Sequence, residues 1–399
     1  MEILLITHSF YPADVIGAKR WTDFYNLSLD DHDINFTVLT ANWIGEKIIS
    51  SNIYYLGKEL KVKRIPSYQK NNGIFDLFNH PSLFIRSINK STFYSWIKNC
   101  KNWVDQNNQK KFDLIISSYS PLTSIIVGNY AKDVFKVPYI VDLRDLISIQ
   151  GQKRKFPVIH QIDKLIDKFL TRKVTQFITV SPTCFKKAIF FYGKDVSLIY
   201  NGFTNQLKLE NKNLSIENPL DIRILYMGTL GNNRSPKKII QILNQYSIEN
   251  PSIKISLSFA SKDNPFDFLI NTNDSSIQIR WLGFLTKKEL LNEKNKSNIF
   301  LLLEDQTSNG NENLTGKLYE YFEEQKPILV SCHNESDIVK IVNETNTGSL
   351  VNTVSELENF ILNKRIRNNN ECLKYSRQNQ YLKLKKTLSF FLKKESKIE

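Results

Sequence analysis

A short segment near residue 315 combines residue types that suit the binding of a phosphate group. An apolar strand predicted at Phe300–Leu303 is followed by a polar, glycine-containing loop and then by a helix that is expected to begin after Thr315. Such a loop offers free backbone N–H groups and the positive end of the helix dipole. Lys317 lies in the first turn, where the dipole disfavours a cation unless an anion binds between them. The segment therefore predicts an anion site.

Glu320 lies one turn after Lys317, on the same face of the predicted helix. Its carboxylate can accept two hydrogen bonds from the cis-diol of a ribose, so that the pair would fit the diphosphate and the ribose of a nucleotide. The alternative is an ordinary capped helix in which Lys317 and Glu320 form a surface ion pair. These residues alone leave both interpretations open.

Six segments of the chain resemble, in order, motifs of one enzyme family. The run 315–321 (Thr-Gly-Lys-Leu-Tyr-Glu-Tyr), followed by Lys-Pro-Ile-Leu at 326–329, resembles the donor-binding motif of GT-B glycosyltransferases of family four, a retaining family that uses nucleotide sugars. The five other segments are Tyr11-Pro12 with Gly-Ala-Lys-Arg at 17–20, Phe36–Thr40, Asp142–Asp145, Ile199–Phe203, and Tyr226–Leu230 with Arg234 beyond it. The resemblance implies an α/β protein of the GT-B type, with two Rossmann-like domains whose parallel sheets face each other across a cleft, and a C-terminal helix docked back on the body.

The resemblance also implies roles for residues in the second half of the chain. Arg234 and Lys317 match the pair of cations that hold the donor pyrophosphate, and Glu320 matches the glutamate that binds the nucleotide ribose. Glu312, eight positions earlier, matches the first of the family's paired glutamates, which contacts the transferred sugar. Its Asn-rich loop departs from the usual Glu-Gly-Phe-Gly setting. The other donor-binding residues implied here are Gly228, Thr229, Leu314, Thr315 and Gly316.

In the first half, Gly17 matches the glycine that lets the first loop approach the diphosphate. The family's frequent cleft histidine is not evident. Arg144 and Asp145 stand near its place, and one of them is expected to orient the sugar. The residues assigned to catalysis by this comparison are Arg234, Lys317, Glu312 and Asp145, and Arg144 is assigned to donor binding with Gly17.

The implied reaction is a retaining transfer from a nucleotide diphosphate sugar, with UDP or GDP as the expected nucleotide. The expected acceptor is a saccharide or a lipid-linked saccharide, in surface polysaccharide or lipopolysaccharide assembly. Arg234, Lys317 and the helix N-terminus are expected to stabilise the leaving diphosphate without a metal ion or a cofactor. Two alternatives remain: a non-catalytic basic protein that binds an anionic polymer or lipid, and a GT-B nucleotide-sugar epimerase. The Lys317–Glu320 pair argues against the first, and the scarcity of histidines argues against the second.

The elements that must position these residues follow from the hydrophobic pattern, which alternates between short β-rich runs and longer amphipathic stretches. This alternation is typical of βα units and a parallel sheet. Strands are predicted at 2–7, 35–40, 113–118, 139–142, 176–180, 197–200, 222–227, 254–259, 277–281, 298–303 and 327–331. The predicted organisation is an acceptor-binding domain at 1–205, a linker at 206–220, a nucleotide-sugar-binding domain at 221–370 and a basic C-terminal helix at 371–399.

Composition restricts the class of protein and its partners. The 399 residues include 41% hydrophobic and 24% charged residues, which is typical of a globular chain and excludes disorder and collagen. The net charge is +14, so an anionic partner is expected, but no nucleic-acid module is visible. The candidates for contact with an anionic membrane are Lys383, Lys385, Lys386, Lys393, Lys394, Lys153, Arg154, Lys155 and a helix after Pro81. The alternative is a solvated basic face.

The location is expected to be cytoplasmic, with attachment to the inner face of the plasma membrane. The apolar runs are shorter than a membrane-spanning helix requires, and no signal peptide is recognised. The four cysteines are far apart and have no histidine at metal-binding spacing, so reduced thiols and no metal site are expected.

Overall fold

The computed structural model describes residues 1–13, 16–44, 51–61, 91–149, 157–204, 214, 216–231, 233–268, 276–363 and 366–395. The chain divides into two compact units. The first unit comprises Met1–Asn201 and Arg377–Glu399, and the second comprises Gly202–Ser376. The C-terminal segment thus returns to the first unit after the second is complete.

The first unit is a parallel sheet covered by helices. Its elements in chain order are β1 (Glu2–Ile6), α1 (Ile16–Leu29), β2 (Asn35–Ile44), β3 (Ile53–Lys61), α2 (Ser91–Gln106), β4 (Leu114–Tyr119), α3 (Thr123–Phe135), β5 (Tyr139–Leu143), α4 (Pro157–Leu170), β6 (Gln176–Thr179), α5 (Pro182–Tyr192) and β7 (Asp195–Leu198). The strand order is β3-β2-β1-β4-β5-β6-β7. The order reverses direction between β1 and β4, which are paired in parallel with Ile3 opposite Leu114.

The second unit repeats the scheme with six strands. Its elements are β8 (Asp221–Met227), α6 (Lys237–Glu249), β9 (Lys254–Ala260), β10 (Gln278–Trp281), α7 (Lys287–Lys296), β11 (Ile299–Leu303), α8 (Gly316–Glu324), β12 (Ile328–Ser331), α9 (Asp337–Thr345), β13 (Gly348–Leu350), α10 (Val354–Leu362) and α11 (Asn369–Leu373). The order is β10-β9-β8-β11-β12-β13, and it reverses between β8 and β11. Two Rossmann-like units with parallel sheets are therefore present, as the sequence predicts.

The long apolar runs of the central strands form the core of each sheet. In the second unit all five residues of β11 are buried, because helices cover both faces of a parallel strand at this position. Each of the eleven predicted strands has a counterpart in the structure, although the one predicted at 197–200 lies at Asp195–Leu198. Two strands were missed, β3 and β13. Both lie at sheet edges, and most of their described residues are only partly buried, so the apolar signal is weak.

The C-terminal segment forms helix α12 (Arg377–Glu395), which docks on the first unit as predicted. Tyr381, Leu384 and Leu388 are buried in the same cluster as Phe24 of α1. The prediction of a single helix from residue 371 is wrong in one respect, because helix α11 ends at Leu373 and a separate helix begins at Arg377. The side chain predicted at Leu392 lies outside the described residues.

Helix α2 carries the described part of the amphipathic stretch predicted after Pro81. Its Trp96, Cys100 and Trp103 are buried in the core of the first unit, whereas the part before residue 91 lies outside the described residues. All four cysteines of the chain are buried, and none of them forms a disulfide. Among the described helices, none has the length and apolar character needed to cross a bilayer.

Candidate functional site

The candidate site in the second unit lies at the carboxyl ends of β8 and β11, where the strand order reverses. These strands are neighbours, with Leu301 of β11 opposite Tyr226 of β8. In open parallel sheets the loops that leave such a pair diverge to opposite faces and form a crevice for ligands. Here the crevice is formed by the loop after Met227 and by the loop that leads from Leu303 into helix α8.

Helix α8 begins as the sequence predicts. Thr315 is the N-cap residue, and its hydroxyl accepts a hydrogen bond from the backbone N–H of Lys317 at 3.4 Å. Four residues of the helix are buried, Leu318, Tyr319, Tyr321 and Phe322. The N–H groups of the first turn that have no intrahelical partner point out of the N-terminal end of the helix.

Lys317 reaches back from α8 to β8. Its Nζ donates a hydrogen bond to the Tyr226 hydroxyl at 3.0 Å and lies 4.5 Å from the centre of the Tyr226 ring. Gly228 makes room for it, since a Cβ there would lie 2.3 Å from both Cε and Nζ of Lys317. The backbone of Gly228 also has a φ of 132°, which favours glycine. Both features require glycine at this position.

The lysine lies in an environment that disfavours its protonated, positively charged form. Burial, together with the positive charge of Arg234, lowers the pKa of Lys317 to about 8, although the charges of Glu304 and Glu320 oppose the shift. A bound anion would replace the missing solvation and hold the proton on Nζ. Lys317 is thus suited to a ligand that carries negative charge.

Glu304 is a buried partner that sequence reasoning missed. Its carboxylate is only 2% exposed and accepts a hydrogen bond from Nε of Arg234 at 2.9 Å. Burial raises its pKa, and the charges of Arg234 and Lys317 oppose that shift. Arg234 itself remains 35% exposed, so part of its guanidinium is accessible. The available signal was the position of Glu304, a charged residue directly after five buried apolar ones.

The loop after β8 is held by hydrogen bonds to its neighbours. The Tyr226 hydroxyl donates to the carbonyl of Thr229 at 2.6 Å, and the N–H of Leu230 donates to the Asp263 carboxylate at 2.8 Å. Arg234 closes the turn, because its N–H donates to the carbonyl of Gly231 at 2.9 Å. The position of the Arg234 side chain is consequently fixed at its backbone as well as by Glu304.

The remaining predicted donor residues of this unit divide by exposure. Glu320 and Thr229 are exposed, and Glu320 acts electrostatically on Lys317. Glu312 and Leu314 are buried. The loop that carries Glu312 is anchored to helix α9, since the N–H of Asp337 donates to the carbonyl of Asn311 at 3.1 Å. The structure therefore exposes one of the two glutamates and buries the other.

In the first unit, Gly17 and Arg144 lie together at the carboxyl edge of the sheet. The guanidinium of Arg144 donates from Nε to the carbonyl of Tyr119 at 3.0 Å and from Nη2 to that of Ser120 at 2.9 Å. A Cβ at position 17 would lie 1.8 Å from Nη1 of Arg144, so any larger residue there would displace the guanidinium. Burial lowers the pKa of Arg144, and the charges of Asp142 and Asp145 oppose that shift. The side chain of Asp145 is exposed.

Asp142, which opens the same segment, is a structural residue. It is fully buried and forms a bidentate ion pair with the buried Arg20, with both N–O distances 3.2 Å. Trp21 adds a hydrogen bond from its indole N–H at 2.8 Å. Arg20 in turn donates to the carbonyl of Tyr200 at 2.8 Å, which ties α1 and β5 to the end of the unit.

The structure thus brings Gly228, Arg234 and Lys317 together in the second unit, and Gly17 and Arg144 together in the first. Across the described ranges, no group of three or more His, Cys, Asp or Glu side chains is arranged to hold a metal ion.

The whole-chain fold matches solved structures, although no family model and no curated protein sequence matches the chain. The lipopolysaccharide outer core galactosyltransferase WaaB in its apo form aligns over 96% of this chain and 98% of its own, with a TM-score of 0.58 and 12% identity. An alpha,alpha-trehalose-phosphate synthase (UDP-forming) from Burkholderia vietnamiensis aligns over 100% of both chains, with a TM-score of 0.58 and 9% identity. Anabaena HepE in complex with UDP aligns over 98% and 100%, with a TM-score of 0.53 and 14% identity. The fold is GT-B. At these identities the likeness establishes the fold, as the sequence motifs predicted.

Proposed function

We propose that the protein is a glycosyltransferase that moves a sugar from a nucleotide diphosphate sugar to a saccharide or a lipid-linked saccharide. The observation that carries the proposal is the placement of Lys317 against Gly228 and Tyr226, beside Arg234 and at the N-terminus of α8. Two cations and the N-terminal end of a helix meet there, and the buried carboxylate of Glu304 is hydrogen-bonded to one of the two cations, Arg234. Such a site is complementary to the multiple negative charge of a diphosphate.

The solved structures with the same fold support a nucleotide sugar as the donor. One of them is named as a galactosyltransferase, one as a UDP-forming synthase, and one contains UDP. We extend to this chain the use of a UDP or GDP sugar, with Glu320 as the residue that accepts the hydrogen bonds of the ribose. Its exposed carboxylate lies one helical turn after Lys317, within electrostatic range of it.

In the proposed reaction the bond between the anomeric carbon and the diphosphate oxygen breaks, and negative charge develops on that oxygen. Arg234, Lys317 and the N–H groups at the start of α8 stabilise this charge, so the proposed transfer needs no metal ion. The acceptor hydroxyl oxygen forms the new bond to the anomeric carbon on the face that the diphosphate leaves. Attack on this face retains the configuration of the anomeric carbon. The proton of the acceptor hydroxyl passes to the departing diphosphate, which balances the charge.

The roles proposed for the other residues are narrower. Gly17 would admit the diphosphate to the first unit's loop, and Arg144 or the exposed Asp145 would orient the sugar. Glu312 is assigned to the transferred sugar, and its burial means that its loop must open for direct contact. We further propose surface polysaccharide or lipopolysaccharide assembly at the cytoplasmic face of the membrane as the cellular task.

A thermal-shift panel with UDP, GDP, ADP, CMP and dTDP tests the proposal. A nucleotide that binds only the folded state raises the melting temperature, so one diphosphate should stand out and name the donor base. The shift should disappear in Lys317→Ala and persist in Lys296→Ala, a surface lysine paired with Glu293. A panel without any shift, or a shift that Lys317→Ala leaves intact, would refute the phosphate site.

A second measurement separates transfer from epimerisation. With the matching nucleotide sugar and a saccharide acceptor, a transferase releases the nucleoside diphosphate and enlarges the acceptor, in the presence of EDTA. An epimerase instead converts the nucleotide sugar without acceptor consumption. Conversion without transfer would replace the proposal by the epimerase, and a need for added Mg²⁺ or Mn²⁺ would remove its metal-free step.

A further inference from the structure

Helix α4 (Pro157–Leu170) has its carboxylates inside and its apolar side chains outside. Asp163 and Asp167 are fully buried. A stripe of large apolar residues at four-, three- and four-residue steps faces away from the core: Val158 is 73% exposed, Ile162 48%, Leu165 69% and Phe169 60%. A helix on a sheet normally buries such a stripe, because removing apolar surface from water is the main source of its stability.

Hydrogen bonds fix this orientation. The carboxylate of Asp167 accepts bonds from the N–H of Ser148 at 3.1 Å, from its hydroxyl at 2.6 Å and from the Tyr192 hydroxyl at 3.1 Å. Burial raises the pKa of Asp167 to about 6 despite the opposing effect of the bonds from Ser148 and Tyr192. A rotation that hid the apolar stripe would break all three bonds. The outward apolar face is therefore a built feature of the first unit.

The exposed charges on α4 and the neighbouring α5 (Pro182–Tyr192) are all basic. Both carboxylates of α4 are buried and α5 has none, whereas Lys168 and Lys186 are exposed. The two helices touch at their C-terminal ends, where the Lys168 Nζ lies 5.0 Å from the centre of the Phe191 ring. Arg172, just beyond α4, lies over the ring of Phe169 at 3.8 Å. An apolar stripe bordered by cations is complementary to a surface with apolar depth and negative charge.

A groove lies at the outer edge of the sheet in the same unit. The groove has a volume of about 750 Å³ and runs from Ile189 of α5 along β7 to α12. Lys383, Lys386 and the 71% exposed Phe390 line its α12 side. Lys385 of the same helix points elsewhere and is bound to Asp31 at 2.8 Å and Asp33 at 2.6 Å.

These contacts divide the tail lysines that the sequence nominates for membrane contact. Lys383 and Lys386 lie beside apolar side chains on the groove, whereas the charge of Lys385 is neutralised within the first unit. Lys153, Arg154 and Lys155 precede α4 in sequence, and lie outside the described residues together with the side chain of Lys394.

We infer that the outer face of α4, with Val158, Ile162, Leu165 and Phe169 at its centre and Lys168 and Arg172 at its border, docks on an anionic lipid bilayer. Helices with one apolar face and basic borders lie in the plane of the membrane interface, with the apolar side chains inserted among the acyl chains. The cations add attraction to acidic headgroups. This inference does not depend on the proposed transfer reaction, because it concerns a surface of the first unit alone.

Vesicle flotation with the full chain is the test. Vesicles of phosphatidylcholine with about one third phosphatidylglycerol should carry the protein upward at about 0.1 M salt, and pure phosphatidylcholine should carry much less. At about 1 M salt the Debye length falls from ~10 to ~3 Å, and the recovery on anionic vesicles should drop. Equal recovery on both vesicle types, or recovery on neither, overturns the inference.

Matched substitutions locate the surface. Leu165→Asp should reduce the partition coefficient for anionic vesicles by about tenfold or more, since it places a negative charge at the centre of the face and removes apolar area. Leu291→Asp on α7 is the control, because Leu291 is also exposed, at 54%, but lies in the second unit. Both positions are exposed, so the melting temperatures should match that of the wild type. Equal loss in both variants, or binding retained in Leu165→Asp, overturns the assignment.

Two other occupants of the face are outcomes of the same experiment. If a second copy of the chain covers it, light scattering will show a dimer that Leu165→Asp dissociates, and the wild type will not float. If another segment of this chain covers it, Leu165→Asp will lower the melting temperature by several degrees without a change in flotation. Either result excludes the bilayer.

Discussion

The carboxyl edges of the two sheets use arginine and carboxylate pairs in opposite ways. In the first unit the Arg20–Asp142 pair is completely buried, bidentate and supplemented by Trp21, so neither charge is accessible. In the second unit Arg234 contacts Glu304 through one bond and stays partly exposed, and a second cation, Lys317, lies beside it. A fully buried pair serves structure, whereas partly exposed cations are accessible to an anionic ligand. The two units share a strand order and differ in the exposure of the charges at these edges.

The largest effect is expected from a substitution that breaks the buried Arg20–Asp142 pair. Asp142→Ala leaves the guanidinium of Arg20 buried without a counter-charge, and should lower the free energy of unfolding of the first unit by about 3–5 kcal/mol. Urea unfolding followed by tryptophan fluorescence measures this, since Trp21 loses its acceptor at the same time. Asp145→Ala, at an exposed position in the same segment, should change it by less than about 1 kcal/mol. A loss of less than about 1 kcal/mol in Asp142→Ala would contradict the structural role of the pair.

The next largest effect is expected on turnover, from substitutions of the two partly exposed cations in the second unit. Lys317→Ala and Arg234→Ala should each lower turnover by about 10²-fold, because each removes a cation from the charge that develops on the leaving diphosphate. Lys317→Ala should change folding little, since Lys317 makes one side-chain hydrogen bond among the described residues. Arg234→Ala leaves the buried carboxylate of Glu304 without its ion pair and should also lower the melting temperature. Steady-state kinetics on a verified donor provide the measurement. Turnover within about threefold of the wild type in both variants would show that the two edges do not differ as proposed.

A smaller effect distinguishes the two glutamates of the second unit. Glu320→Gln should weaken binding of the nucleoside diphosphate by about tenfold, since it replaces charge-assisted hydrogen bonds to the ribose. Glu312→Gln should bind the same nucleotide as the wild type does and lose activity only in the sugar-dependent step. Calorimetry with the bare nucleotide, followed by kinetics, separates them. Wild-type nucleotide affinity in Glu320→Gln would remove the ribose assignment.

The smallest effect is a pH dependence of nucleotide binding, which is expected at the site of Lys317 in the second unit. Lys317 has a pKa of about 8 without ligand, and a bound diphosphate raises that value, so that nucleotide binding takes up a proton. Nucleotide affinity should be highest below pH 7, and it should fall by about threefold between pH 7.5 and 8.5 because the free lysine loses its proton. Calorimetry in two buffers with different ionisation enthalpies detects the uptake. Lys317→Arg keeps its charge throughout, and a similar decline in that variant would assign the titration to another group.

Much of the fold could be predicted from local patterns, and the exceptions have a common cause. Central strands such as β11 consist of continuous apolar residues, because both of their faces are buried. The missed strands β3 and β13 are edge strands of mixed composition, so the continuous apolar pattern that marks a central strand is absent from them. The break before α12 has no local signal either, since the isolated bridge between Ser376 and Phe203 joins residues far apart in the chain.

The candidate site was predictable where one short segment carries it. Thr315, Lys317 and Glu320 occupy the start of a single helix, so their spacing alone specifies their relation to the dipole. Glu304 was not predictable as a partner of Arg234, because the two are 70 positions apart and meet only after β8 and β11 become neighbours. The burial of Glu312 depends likewise on the packing of its loop against α9.

The alternation of strands and helices and the start of α8 follow from the sequence alone, because they depend on periodicity and capping within a few residues. The glycines at 17 and 228 make room for Arg144 and Lys317, which only the folded chain brings next to them. Only the tertiary structure shows which charged pair is fully buried and which remains partly exposed, and which face of α4 is exposed. An amphipathic pattern has two faces and does not state which one is buried. The bonds of Asp167 to Ser148 and Tyr192, contributed by other segments, make that choice.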